Sequence, residues 1–131
     1  MRVMKIEVLR KISDKVNEIS AECAYAWLQS KEAILIDVRE PDELELEWIP
    51  GAIAMPLSRF KPGDVPINND LQIMLICYTG RRSKKAAKLL AESGIYPVYS
   101  VRDGILGWNA SGLDSVDQSA LLIWSELKRG K

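Results

Sequence analysis

The sequence predicts an α/β domain, a mostly parallel central sheet with helices on both faces. Three observations point there. Short, largely apolar runs at 33–38 (AILIDV), 71–77 (LQIMLIC) and 97–101 (PVYSV) have the composition of strands buried on both faces. Segments with helical spacing or capping residues separate them, the alternation that builds parallel sheets. No repeat, low-complexity tract or linker divides the 131 residues, a length that suits one domain.

Taken in order, Ile6, Leu9, Ile12, Val16 and Ile19 recur at three- and four-residue steps, which predicts an amphipathic helix over 5–19. The expected organisation is a helical N-terminal extension (1–18), the domain proper (19–112) and a C-terminal helix (113–131). Ser20 can cap a helix over AECAYAWLQS (21–30), whose inner face would carry Cys23, Trp27 and Leu28. Cys23 is thereby expected in the core. REPDELELEW (39–48) reads as a short acidic helix with Pro41 near its start. IPGAIAMP (49–56) is a turn and a short strand, and KPGDVPINND (61–70) a polar, proline-rich loop. SKKAAKLLAES (83–93) is a helix closed by Gly94, and DGILGW (103–108) a glycine-rich turn into a short helix. In the final segment Ser115 and Gln118 can form a capping box, with Val116, Ala120, Ile123 and Leu127 on one stripe. Both terminal stripes are expected to pack on the domain itself.

Composition excludes several functions. Eighteen Lys and Arg balance eighteen Asp and Glu, so no whole-molecule field draws the chain to nucleic acid or an anionic membrane. The two cysteines form no C-x-x-C pair, which argues against a disulfide framework or zinc site and suits a reducing compartment. Histidine is absent, which removes Ser-His-Asp, Cys-His and His-ligated metal chemistry. The first residues carry charges every few positions rather than an apolar signal-peptide core. No stretch approaches the ~18–20 apolar residues of a membrane span. The expected location is the cytoplasm.

Cys77 is where chemistry is expected. It stands at the carboxyl end of the strand 71–76, the end at which parallel α/β sheets hold ligands. A nucleophilic cysteine reacts as the thiolate, and a free thiol with a pKa of ~8.5 is only slightly ionised at neutral pH, so positive potential must surround it. The following residues supply three sources. A short loop containing Gly80 can turn backbone N–H groups inward. A helix from about Ser83 would aim its positive end at that loop. Arg81 and Arg82 add charge, extended by Lys84, Lys85 and Lys88. The plainer alternative is a small buried cysteine ending a strand, beside an ordinary solvated helix face. The coincidence of strand, cysteine, glycine loop, arginine and helix favours the nucleophile.

CYTGRRS (77–83) resembles the C-x-x-G-x-R-S active-site loop of rhodanese-like sulfurtransferases. Three further segments agree in order: ILIDVREPDEL (34–44) with a D-V-R-x-x-x-E signature, IPGAIAMPL (49–57) with I-P-G-A-x-x-x-P, and DGILGW with G-G-x-x-x-W. Many members carry Gly-His before I-P-G-A, where this chain has Glu47 and Trp48. The resemblance implies that Cys77 takes sulfur from a small anionic donor such as thiosulfate, becomes a persulfide and passes the sulfur to a thiol, on a small molecule or protein, or to cyanide. It implies a loop of Tyr78, Thr79, Gly80, Arg81, Arg82 and Ser83 around the sulfur, with Arg82 bracing the loop or facing the donor. Asp37 and Arg39 would hold the scaffold. No metal or organic cofactor is implied, and a monomer or weak homodimer is expected. Two alternatives stand beside it. Cysteine phosphatases, the alternative that includes arsenate reductases, place five residues between cysteine and arginine; dual-specificity phosphatases on the rhodanese-like fold share that longer loop, commonly with His before the cysteine. This chain has four (78–81) and Ile76. Non-catalytic rhodanese-like binding modules often lack the cysteine, which is kept here.

Overall fold

Residues 33–37 and 72–76 carry aliphatic side chains on both faces, so they can lie only in the middle of a sheet covered from both sides. The computed structural model, which describes residues 15–113 and the backbone of 116–117, places them there. Five parallel strands, β1 (Val16–Ile19), β2 (Ala33–Asp37), β4 (Ile53–Ala54), β5 (Gln72–Ile76) and β6 (Val98–Val101), lie in the order β1-β6-β5-β2-β4. A separate antiparallel pair joins β3 (Glu47–Trp48) to β7 (Val116–Asp117). Among the described residues the α-helices are α1 (Ala21–Gln29), α2 (Pro41–Leu46), α3 (Arg81–Glu92) and α4 (Gly104–Ala110). Two 3-10 turns, Leu57–Arg59 and Pro62–Asp64, lie within the connection from β4 to β5.

Alternation along the strands divides the core. Leu35, Met74, Ile76 and Val101 join Ala21 and Ala24 of α1 and Ile105 and Trp108 of α4. Ile36, Ile73, Leu75 and Val98 join Ala86, Ala87 and Leu90 of α3. Trp108 is fully buried and meets Tyr25 edge-on at 5.9 Å between ring centres. Such a pair adds about 0.5–1.5 kcal/mol beyond burial itself and fixes α4 against α1.

Three expected elements differ, the first only in extent: the acidic helix read over 39–48 stops at Leu46, and Glu47–Trp48 form β3. Residues 16–19 are a strand, not the end of a helix: β1 pairs with β6 from Val16↔Val98 to Ile19↔Val101. Val16 and Ile19 satisfy helical spacing, but a four-residue strand is too short to declare its own alternation, and the partner lies over eighty residues away. The expected helix over 5–14 falls outside the described residues. Val116–Asp117, read as the start of a C-terminal helix, instead pairs with β3; residues 118–131 also fall outside.

Cys23 is exposed, against the expectation of core packing. The buried residues of α1 are Ala21 and Ala24, with Trp27 and Leu28 only partly covered. Two alanines let the helix approach the sheet closely and rotate Cys23 outward. Its backbone N–H, rather than its side chain, has the structural part, donating to the capping Ser20 Oγ at 3.1 Å.

Candidate active site

The end of β5 delivers Cys77 into a turn that reverses within three residues and starts α3 at Arg81. Gly80 is its N-cap, with φ +100°, in the left-handed region that glycine enters without strain. This conformation turns the Gly80 N–H inward, where it donates to Cys77 Sγ at 3.1 Å. The Cys77 and Tyr78 carbonyls point the other way, accepting from the N–H groups of Ile105 (2.9 Å) and Leu106 (3.2 Å) at the start of α4. The loop is therefore polarised: a donor faces the sulfur and two acceptors face away. Gly104 (φ +54°) makes that possible, because a Cβ there would lie 2.5 Å from the Tyr78 carbonyl oxygen.

Cys77 is almost wholly buried (1% exposed) and also belongs to the α3-side core. Below its sulfur lies Ser83, buried in the first turn of α3 with Oγ 3.5 Å from Sγ. Tyr78, Thr79 and Arg81 are exposed around the loop.

Arg82 turns away to a carboxylate. Its two terminal nitrogens donate to Glu43 Oε1 and Oε2 at 2.6 and 2.8 Å, a bidentate pair that ties the start of α3 to α2. Hydrogen bonding from Arg82, opposed by burial, lowers the pKa of Glu43. The same contact, opposed by burial, raises that of Arg82. The resemblance allows Arg82 two roles, bracing the loop or facing the donor; its described side-chain hydrogen bonds go to Glu43. Glu43 is the last residue of the D-V-R-x-x-x-E segment; the motif named it, but only the fold supplies its partner.

The basic run is less free than the sequence suggests. Lys84 pairs with Glu18 at 2.7 Å, and Arg102 shares that carboxylate at 3.2 Å. Arg81, Lys85 and Lys88 have no ion-pair partner among the described residues.

Asp37 and Arg39 form a buried pair at the end of β2. The guanidinium donates to Asp37 at 2.8–3.1 Å and to the Glu47 carbonyl at 2.9 Å. This links β2 to β3. Removing one partner of such a pair costs about 3–5 kcal/mol, because an uncompensated charge remains inside. Trp48 lines a hollow of about 130 Å³ with Asp37, Leu44, Ala52 and Ala54. A larger cavity of about 310 Å³, lined by Gln72, Ile73, Tyr96 and Pro97 among others, sits at the amino ends of β5 and β6, the far end of the strands from Cys77. Among the described residues there is no cluster of His, Cys, Asp and Glu able to hold a metal. No helix among them is long and apolar enough to cross a membrane.

Comparison with known proteins agrees with this architecture. The rhodanese-like domain model matches residues 20–111. A sulfurtransferase of Allochromatium vinosum is 31% identical over 102 residues, 77% of this chain and 95% of that protein. The thiosulfate sulfurtransferase GlpE of Actinobacillus succinogenes is 32% identical over 96 residues, 73% of this chain and 86% of that one. Among solved structures, a rhodanese-related protein of Thermoplasma volcanium superposes with a TM-score of 0.66 at 31% identity, covering 76% of this chain and 97% of that one. This chain spans about half the length of two other curated relatives that it matches, 49% and 52%.

Proposed function

The chain belongs to the rhodanese-like domain family, and we propose that it is a sulfurtransferase working through a persulfide on Cys77. The observation that carries this reading is the polarised loop, with the Gly80 N–H donating to Cys77 Sγ while the neighbouring carbonyls are turned onto α4. Such an arrangement favours negative charge on the sulfur, as preorganised donors do wherever charge develops.

In the proposed reaction the Cys77 thiolate attacks the outer sulfur of thiosulfate. The S–S bond of the donor breaks, its electron pair leaves with sulfite, and Cys77 becomes an anionic persulfide. An acceptor thiolate or cyanide then attacks the terminal sulfur, and the electron pair of the persulfide bond returns to Cys77. No net oxidation occurs. Arg81, exposed beside the loop and unpaired among the described residues, would draw in the anionic donor, while Arg82 and Glu43 hold the loop against α2. The turn has four residues between Cys77 and Arg82, which suits a sulfur atom better than a phosphate group.

Thiosulfate:cyanide turnover tests the proposal. It is expected in the wild type and in Cys23→Ser and absent in Cys77→Ser. Hydrolysis of an aryl phosphate with no sulfur transfer would overturn it in favour of a phosphatase.

A further inference from the structure

Ser100 is a hydroxyl in an aliphatic place. It lies in β6 between Tyr99 and Val101, is 1% exposed, and belongs to none of the four sequence motifs. Its hydroxyl makes one hydrogen bond to the described residues, to Ser83 Oγ at 2.7 Å. Ser83 Oγ also lies 3.1 Å from the Gly80 carbonyl oxygen and 3.5 Å from Cys77 Sγ.

Counting hydrogens orders this cluster. Each hydroxyl has one hydrogen and two lone pairs. If Ser83 donated to Ser100, the Ser100 hydrogen would be stranded in an apolar interior, a costly arrangement. Ser100 is therefore the donor and Ser83 the acceptor. The single hydrogen of Ser83 is left to choose between the Gly80 carbonyl and the Cys77 sulfur.

That choice follows the charge on the sulfur. When Cys77 is a thiol, its S–H donates to Ser83 and Ser83 donates to Gly80, so Ser83 accepts a bond even without Ser100. When the sulfur is anionic, the Ser83 hydrogen turns to it with no heavy atom moving. Ser83 then accepts only from Ser100. Loss of the Ser100 hydroxyl thus penalises the anionic state selectively.

We infer that Ser100 is a positioning residue for the Cys77 sulfur, acting through Ser83. Only the turnover half of its test rests on the sulfurtransferase proposal.

Ser100→Thr and Ser100→Val have nearly the same shape and differ in the hydroxyl, so packing costs cancel between them. In a Cys23→Ser background, two rates are measured: alkylation of Cys77 by iodoacetamide at neutral pH, and thiosulfate:cyanide turnover. Ser100→Val is expected to be slower than Ser100→Thr by about five- to tenfold in both, the size of one hydrogen bond. Equal rates for the two variants would overturn the inference. If the wild type alkylates but transfers no sulfur, the sulfurtransferase proposal fails, while the Thr/Val contrast in alkylation still decides the role of Ser100. Ser100→Ala, which adds no volume, should slow both rates similarly and lose its effect in a Ser83→Ala background. An equal effect in both backgrounds would overturn the route through Ser83.

Discussion

The backbone N–H of Ile105 donates to the carbonyl of Cys77 at 2.9 Å, so the amino end of α4 sets the direction in which the cysteine loop faces. Gly104 permits that approach, since any side chain there would collide with the loop backbone. Gly104→Ala is expected to destabilise the fold by about 2–3 kcal/mol and to remove sulfur transfer at temperatures where the protein stays folded. Denaturant titration and turnover on the same preparation check this; wild-type turnover in a folded variant would detach α4 from the chemistry.

The Arg82–Glu43 pair has a pH signature. The pKa of Glu43 is lowered from 4.5, chiefly by the hydrogen bond from Arg82. A carboxylate shifted downward stabilises the fold above its unfolded value and loses that contribution as pH falls through the lower native value. Glu43→Gln should therefore cost about 1 kcal/mol at neutral pH, the upper range for a partly exposed pair with bidentate geometry. The gap to wild type should close as pH falls below about 4.5. A gap that widened in acid would refute the assignment.

Charge on the loop should act mainly through Arg81. Arg82 and Lys84 are engaged by Glu43 and Glu18, so among the described residues Arg81 is the unpaired cation closest in sequence to the cysteine turn. Arg81→Ala is expected to raise the KM for thiosulfate about two- to fivefold at low ionic strength. The difference should shrink in high salt as exposed charges are screened. Steady-state kinetics across a salt series measure it; an unchanged KM at low salt would leave Arg81 an ordinary surface residue.

Cys23 is exposed, so Cys23→Ser should shift stability by no more than about 0.5 kcal/mol. A larger loss on thermal unfolding would restore Cys23 to the core.

The strands nearest the site were readable because their environment leaves a local trace. AILID and QIMLI are apolar on both faces, and Cys77 follows the second one directly. The contacts that shape the site leave no such trace. Glu43 reaches Arg82 across thirty-nine positions, Ser100 reaches Ser83 across seventeen, and Gly104 meets the Cys77 loop only after α4 packs. Val16 and Ile19 misled because two apolar residues three apart fit a helix as well as a strand, and only pairing with β6 decides between them. Cys23 lies on the apolar stripe of its helix, yet the face that meets the sheet is the one lined by the small Ala21 and Ala24.

The central claim is that Cys77 itself carries the transferred sulfur. The most direct measurement is the intact mass of the protein after incubation with thiosulfate and removal of excess donor, followed by mapping to peptides. The account predicts a gain of one sulfur atom on the peptide containing Cys77, reversed by cyanide and absent from Cys77→Ser. A sulfur gain on Cys23, or none on either cysteine in folded wild-type protein, would contradict it.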